Sequence, residues 1–215
     1  MFIDSFRCKL NILQLSYRQR YFIMAYQLDG IRFLIIGTSK SQNTENYYVQ
    51  ERLKMWGVIH LSGWMLSYWK SEEEYMRLGG NKYAQSLGFQ FVDLSKSLNS
   101  KDTTIDYEQE FNHIKSMGLL ISQSSAEFLL FNGKTALLFF IASQFLETYD
   151  FQEIAQLNKL KKKLTYGRID LKNYLRDDHP AYYKIVYLLP NTSSRTNHFN
   201  EFTWISVLKK IKYGN

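Results

Sequence analysis

Apolar positions fall into short continuous runs separated by polar loops and by longer segments with helical spacing. Ile31 to Gly37, Phe89 to Leu94, Glu127 to Phe131 and Lys184 to Leu189 each read as a strand. Their apolar runs do not alternate with polar residues, which marks strands covered on both faces, as in a parallel sheet. Helical spacing runs from about Gln50 to Trp69, with Leu53, Trp56, Ile59, Leu61 and Trp64 apolar. Ser71 with Glu74 has the form of a capping box and opens a second helix that stops near Gly79-Gly80. Further helices are expected over Tyr107 to Met117 (stopped by Gly118), Thr135 to Leu146, residues 150 to 165, and about Glu201 to Ile211. Thr38 to Asn46 and Ser95 to Asp106 read as polar loops, and Pro190 ends the fourth strand.

This order of strand and helix predicts an α/β protein of three layers, α/β/α, around a central, mostly parallel four-stranded sheet. In such sheets a ligand lies beyond the carboxyl ends of the strands. Each strand here leads into a loop rich in Gly, Ser, Thr, Asn or Asp, so those loops are expected to converge on one site. Residues 1–23 mix Phe2, Ile3, Phe6, Leu10, Leu13 and Tyr17 with Arg7, Lys9, Arg18 and Arg20. They read as an amphipathic N-terminal extension, with the α/β domain spanning 24–215. The charges interrupt any signal-peptide core.

A length of 215 residues and 45% apolar content fit one domain with a sizeable core and exclude a disordered chain. A formal net charge of +7 points to a polyanion, nucleic acid or an anionic membrane surface. No uncharged apolar run approaches the roughly 18–20 residues that span a membrane, so no membrane partner is expected. Sixteen tyrosines among Lys and Arg suit base stacking beside phosphate contacts, although an AT-rich coding sequence yields the same bias. The lone Cys8 cannot form an internal disulfide, which fits a cytoplasmic setting. His60, His113, His179 and His198 lie far apart without metal-ligand spacing, so neither a metal nor a cofactor is expected. The chain lacks a P-loop and G-x-G-x-x-G, which argues against a nucleotide-binding α/β protein.

Four motifs occupy the loops. The first is Gly37-Thr38-Ser39, then Tyr47-Tyr48, then Met55-Trp56, eight residues on from the first Tyr. The second is SKDTTI, Ser100 to Ile105, after a strand closed by Asp93-Leu94. The third is FNGKTA, Phe131 to Ala136, and the fourth is LPNTSSRTN, Leu189 to Asn197. Together and in this order they resemble the motifs of the uracil-DNA glycosylase superfamily, nearest its hypoxanthine/mismatch-type branch. There the pattern is a strand ending in Gly, Y-Y and an aromatic-Trp pair, then S-x-D-S-x-I, F-N-G-K-x-A and L-P-S-T-S-P-A-N. The resemblance covers residues 31 to 212 and leaves out residues 1–23.

The resemblance implies a monofunctional DNA glycosylase that flips a base out of DNA and hydrolyses its N-glycosidic bond. Its partner is DNA with a damaged, mismatched or modified base, and it works as a monomer, in the cytoplasm and on the nucleoid of a bacterial-type cell. Gly37, Thr38 and Ser39 would border the base, and Tyr48 or Tyr47 would stack on it. Asn132 offers a donor and an acceptor to the base edge, or else caps the following helix. Asn191, Ser193, Ser194, Arg195, Thr196 and Asn197 match the loop that presses on the DNA, with Arg195 near the family's Pro-Ala pair. Asp102 is the first choice for stabilising positive charge on the sugar, Asp93 the second and Asn43 the third. Lys159 with Lys161 to Lys163, and Lys209, Lys210 and Lys212, either follow the DNA backbone or form solvated faces.

The chain also departs from the family. Ser39 stands where many relatives carry Asn or Asp, and Leu53 where the nearest branch carries Asn. Three readings follow: Asp102 carries the chemistry, the target is a bulkier base such as a modified phage base, or the protein binds DNA without cutting it.

Overall fold

The computed structural model describes residues 31–39, 44–67, 85–96, 106–192 and 200–214, with backbone alone over 44–52. The expected N-terminal extension, the capping box at Ser71 and most of the loop after the second strand lie outside these residues. Five strands form one sheet: β1 (Phe33–Gly37), β2 (Phe89–Asp93), β3 (Phe128–Asn132), β4 (Gly167–Ile169) and β5 (Ile185–Leu189), in the order β2-β1-β3-β5-β4. β1, β2, β3 and β5 are mutually parallel, and they are the four strands expected. The fifth, β4, pairs antiparallel with β5 at the sheet edge. Its three residues, Gly-Arg-Ile, carry no apolar run, so hydrophobic pattern cannot announce it.

The side-chain period of two divides the sheet between two cores. Leu34, Ile36, Val92, Leu129, Phe131, Val186 and Leu188 face α2 (Tyr107–Gln123), α3 (Lys134–Phe145) and α4 (Phe151–Lys163). Phe33, Ile35, Phe89, Phe91, Phe128, Leu130 and Leu189 face α1 (Thr44–Leu61) and α5 (Glu201–Tyr213). Register places Phe33 opposite both Phe89 and Phe128, and the three rings stack at centroid distances of 4.5 and 5.0 Å. Trp56 of α1 and Trp204 of α5 are fully buried in this second layer. α3 sits between α2 and α4, which explains why Ala136 to Ser143 are all buried and no amphipathic stripe is visible in its sequence.

Three expected boundaries move. α1 begins at Thr44 rather than near Gln50, which brings Tyr47 and Tyr48 into the helix, and it ends at Leu61 rather than near Trp69. α2 does not stop at Gly118 but continues to Gln123. Gly118 is buried at the crossing with α3, where a Cβ would run into Ser143 Oγ and lie 2.6 Å from Gln144 Nε2. Its lack of a side chain serves close helix packing. The actual end of α2 is held by Lys184, whose ammonium donates to the carbonyls of Ser124 and Ala126, each at 2.7 Å.

Candidate functional site

Sheet order sets a switch point between β1 and β3. The chain passes from β1 outward to β2, then crosses back over β1 to β3 and on to β5. The connections therefore leave β1 and β3 in opposite directions, and beyond their carboxyl ends lies the position where open α/β sheets bind ligands. Gly37, Thr38 and Ser39 follow β1 there, Asp93 and Ser95 β2, Asn132 and Gly133 β3, and Asn191 and Thr192 β5.

Alternation along the strands sets which side these residues take. Phe33, Ile35 and Gly37 share a face, as do Phe89, Phe91 and Asp93, and Phe128, Leu130 and Asn132. Gly37, Asp93 and Asn132 thus project to the α1–α5 side at the carboxyl edge. Gly37 pairs with Asp93, and Asn132 follows Phe131, the partner of Ile36. Asp93 and Asn132 accordingly leave the sheet from strands on either side of β1, their Cα atoms about 10 Å apart across two strand spacings, and the Asp93 carboxylate leans over Gly37. A Cβ at position 37 would meet the Asp93 carboxylate, so any larger residue there displaces that side chain. Pairing continues beyond the strands: Leu94 N–H donates to Gly37 O at 3.0 Å and Ser95 N–H to Thr38 O at 2.8 Å.

The loop after β5 is tied to the end of β3. Thr192 N–H donates to Asn132 Oδ1 at 2.9 Å, and Asn132 Nδ2 donates to Thr192 Oγ1 at 2.9 Å. A backbone N–H can only donate, so the amide orientation follows. Asn132 keeps one N–H and one lone pair for another partner. It does not cap α3: Gly133 holds that position, and no side chain caps the helix. Gly133 has φ +99°, which favours glycine, and a Cβ there would stand 3.2 Å from Asn191 Cβ and Nδ2, so that side chain would have to give way. Pro190 O accepts from Trp204 Nε1 at 2.8 Å, which anchors α5 to the same loop.

The uncapped start of α3 faces cations. Lys161 Nζ donates to Thr135 Oγ1 at 2.8 Å, and the Lys134 ammonium lies 5.4 Å from the centroid of the Tyr166 ring. Free N–H groups at a helix start, beside lysines, suit an anionic group such as a phosphate. Lys159, Lys162 and Lys163 are solvent-exposed on α4.

Two residues near the strand ends carry roles beyond those the motifs suggested. Glu110 of α2 is 5% exposed and accepts from the Ser95 hydroxyl and, at 3.0 Å, from Lys96 N–H. It clasps the chain as it enters the segment containing Asp102. A carboxylate beside Phe111 and Ile114 on the apolar stripe of α2 was the available signal. Burial, and then the Glu110 charge, raise the Tyr107 pKa above its ordinary value. Burial and the Lys96 charge lower that of His113, with Glu110 opposing. The second is Thr192, 1% exposed, whose part in holding Asn132 no local pattern marks.

Of the candidates, Gly37, Thr38, Ser39, Asp93, Asn132 and Asn191 lie at this edge, and Tyr47 and Tyr48 lie on the backbone of α1. Asn43, Asp102, Ser193, Ser194, Arg195, Thr196 and Asn197 fall outside the described residues. Leu53, at the position where the resembled branch carries Asn, packs against the core of Trp56 and Trp204. A groove of about 920 Å³ at the starts of α2 and α4 contains no motif residue. Asp106, Glu108 and Asp150 line it, and that charge opposes a phosphate backbone. Among the described residues there is no group of three metal-ligating side chains. No described helix is long and apolar enough to cross a membrane. No protein-family model matches the chain, and neither does any curated protein.

Proposed function

We propose that the protein is a monofunctional DNA glycosylase that receives a flipped base in the crevice beyond β1 and β3. One observation carries the reading. Loops bearing the first, third and fourth motifs, and the strand that leads to the second, emerge side by side at one sheet edge. Two of them are joined there through Asn132 and Thr192. In this reading the base lies between the Asp93 carboxylate, which covers Gly37, and Asn132, stacked by Tyr48 or Tyr47 from the start of α1. The remaining N–H and lone pair of Asn132 read its edge. DNA is held by the loop from Asn191 to Asn197 and by Lys134 and Lys161 at the start of α3.

Cleavage breaks the bond between the sugar C1′ and the base nitrogen. The base leaves with the electron pair and is protonated, while water supplies hydroxide to C1′. A carboxylate stabilises the positive charge that develops on the sugar. Asp102 takes that role, with Asp93 beside Gly37 as the alternative. Leu53 is occupied in the core, so the chemistry does not use an amide at that position. This departure, with Ser39, favours a modified base as target, including bulky phage bases, over uracil.

The test is to incubate the protein with DNA containing uracil, hypoxanthine, hydroxymethylcytosine or glucosylated hydroxymethylcytosine and to score abasic sites. Release of uracil or hypoxanthine supports repair. Release of only the modified cytosines supports antiviral defence. Binding without abasic product on any substrate rejects the enzymatic reading in favour of a binding module. Full activity in Asp102→Asn and Asp93→Asn removes both acids from the mechanism.

A further inference from the structure

The outer face of α5 carries exposed aromatic rings among its lysines. Trp204, Val207 and Leu208 make its buried face. On the opposite face, at helical spacing, stand Phe202, Ser206, Lys209 and Tyr213, flanked by Ile205 and Lys210. Phe202 is 76% exposed and Tyr213 59%, so both rings meet solvent at the centre of an outer face. These six residues line a shallow groove of about 470 Å³ that contains two lysines and no acidic residue. Lys212, beside the groove, donates to Gly63 O and lies 5.6 Å from the centroid of the Trp64 ring and 5.3 Å from that of Tyr213, adding a third cation at the Tyr213 end.

We propose that this face binds single-stranded nucleic acid independently of sequence, bases stacking on Phe202 and Tyr213 and phosphates meeting Lys209 and Lys210. Exposed aromatics flanking cations are the arrangement by which single strands are held, because every base has a π-face and every linkage a charge. Phe202 and Tyr213 lie eleven residues apart, about 16 Å along the axis, which spans several nucleotides. Two rings and one Ile among lysines offer little apolar area for insertion into a lipid surface. The first turn of α5 is anchored at Pro190, so the groove begins beside the crevice and continues away from it. Binding here concerns unmodified strand and stands whether or not a base is excised.

The test is fluorescence anisotropy of the full-length protein with labelled, unmodified oligothymidylate, at low and physiological salt. Phe202→Ser and Tyr213→Ser are each expected to weaken binding about five- to tenfold, the lower part of the range for loss of a stacked base. Lys209→Gln with Lys210→Gln is expected to reduce the salt slope by about 1.4, two phosphates' worth for a single strand. Thermal melting checks that each exposed substitution leaves the fold intact. Unchanged affinity in the double aromatic variant overturns the proposal, as does an unchanged salt slope in the lysine pair. Loss of binding to anionic phosphatidylserine vesicles, with oligothymidylate affinity intact, overturns it in favour of a lipid surface. Loss of self-association with intact affinity overturns it in favour of a second copy. Abasic-site formation is scored separately, so failure of the glycosylase reading leaves this result unaffected.

Discussion

Removing the Asn132 amide should destabilise the protein by an amount that its two hydrogen bonds with Thr192 define. Asn132→Ala deletes the acceptor of Thr192 N–H and the donor to Thr192 Oγ1, both at 2.9 Å. Thr192 is 1% exposed, so its N–H is left without water to replace the amide. A lost hydrogen bond costs about 1 kcal/mol and a stranded buried donor about 1–3 kcal/mol, giving about 2–4 kcal/mol together. Thr192→Val removes only the hydroxyl and should cost about 1 kcal/mol, because solvent reaches the half-buried Asn132 amide. Combined, the two should show a coupling of about 1 kcal/mol, the worth of the one bond they share. Asn132→Asp is the informative control. A carboxylate still accepts from Thr192 N–H, and the hydroxyl can rotate to donate, so stability should stay within about 1 kcal/mol of the parent. That variant nevertheless lacks the spare N–H assigned to the base edge, and base release should fall about 10-fold or more. Urea unfolding followed by tryptophan fluorescence measures the first set, with buried Trp204 bonded to Pro190 as a nearby reporter. An Ala variant that costs under about 0.5 kcal/mol, or a coupling of zero, would refute the account of the Asn132–Thr192 link. Undiminished base release in Asn132→Asp would refute the base-reading role.

Gly118→Val should destabilise by about 1–3 kcal/mol through overpacking, and Ser143→Gly in the same chain should recover part of that loss in urea midpoints. Lys184→Met removes two charge-assisted bonds at the end of α2 and should cost about 2–4 kcal/mol, read as a lower melting temperature and faster amide exchange near Ser124. Stability should fall with acidification from about pH 7 to pH 5, more steeply than in a His113→Gln, His179→Gln variant. Burial lowers both histidine pKa values, so the unfolded chain takes up protons first; the stabilisation is full above the ordinary value and is lost as pH falls through the folded one. His179 also loses a specific bond on protonation, since its Nδ1 accepts from Ala181 N–H at 3.1 Å while Nε2 donates to Gln144 Oε1 at 2.9 Å.

The elements readable from the chain are those whose physics is local. β1, β2, β3 and β5 were visible because a strand covered on both faces must be apolar throughout. The start of α5, expected at about Glu201, is fixed by Asn200, whose side chain accepts from Thr203 N–H at 3.2 Å. Gly118 misled because glycine has two uses in a helix, to end it or to let another helix approach. Only Ser143 and Gln144, from a different helix, decide which applies. β4 was invisible for the same kind of reason. Gly167, Arg168 and Ile169 form a strand because Leu188, Tyr187 and Val186 offer them an edge, not because of their own pattern.

The candidate site follows this division. Position was readable: Gly37, Asp93 and Asn132 end strands, and a parallel sheet brings strand ends together wherever the connecting helices pack. Availability was not. Asn132, read from the chain, offers a full amide to a ligand or a cap to α3. In the folded protein half its capacity goes to Thr192, sixty residues away, and the cap is Gly133. The same holds for Asp93, whose place over Gly37 depends on a register that no local motif contains. What this leaves for a base is narrower and more definite than the motifs implied. It is the space between the Asp93 carboxylate, which covers Gly37, and half an amide, with Thr192 at the end of β5 tied to that amide. A ligand that needs the whole Asn132 amide must therefore displace Thr192. In the proposed reading the Asn132–Thr192 pair couples recognition at β3 to the chain that follows β5, and a Thr192→Val variant should relax base selectivity, scored as abasic sites across the same set of substrates.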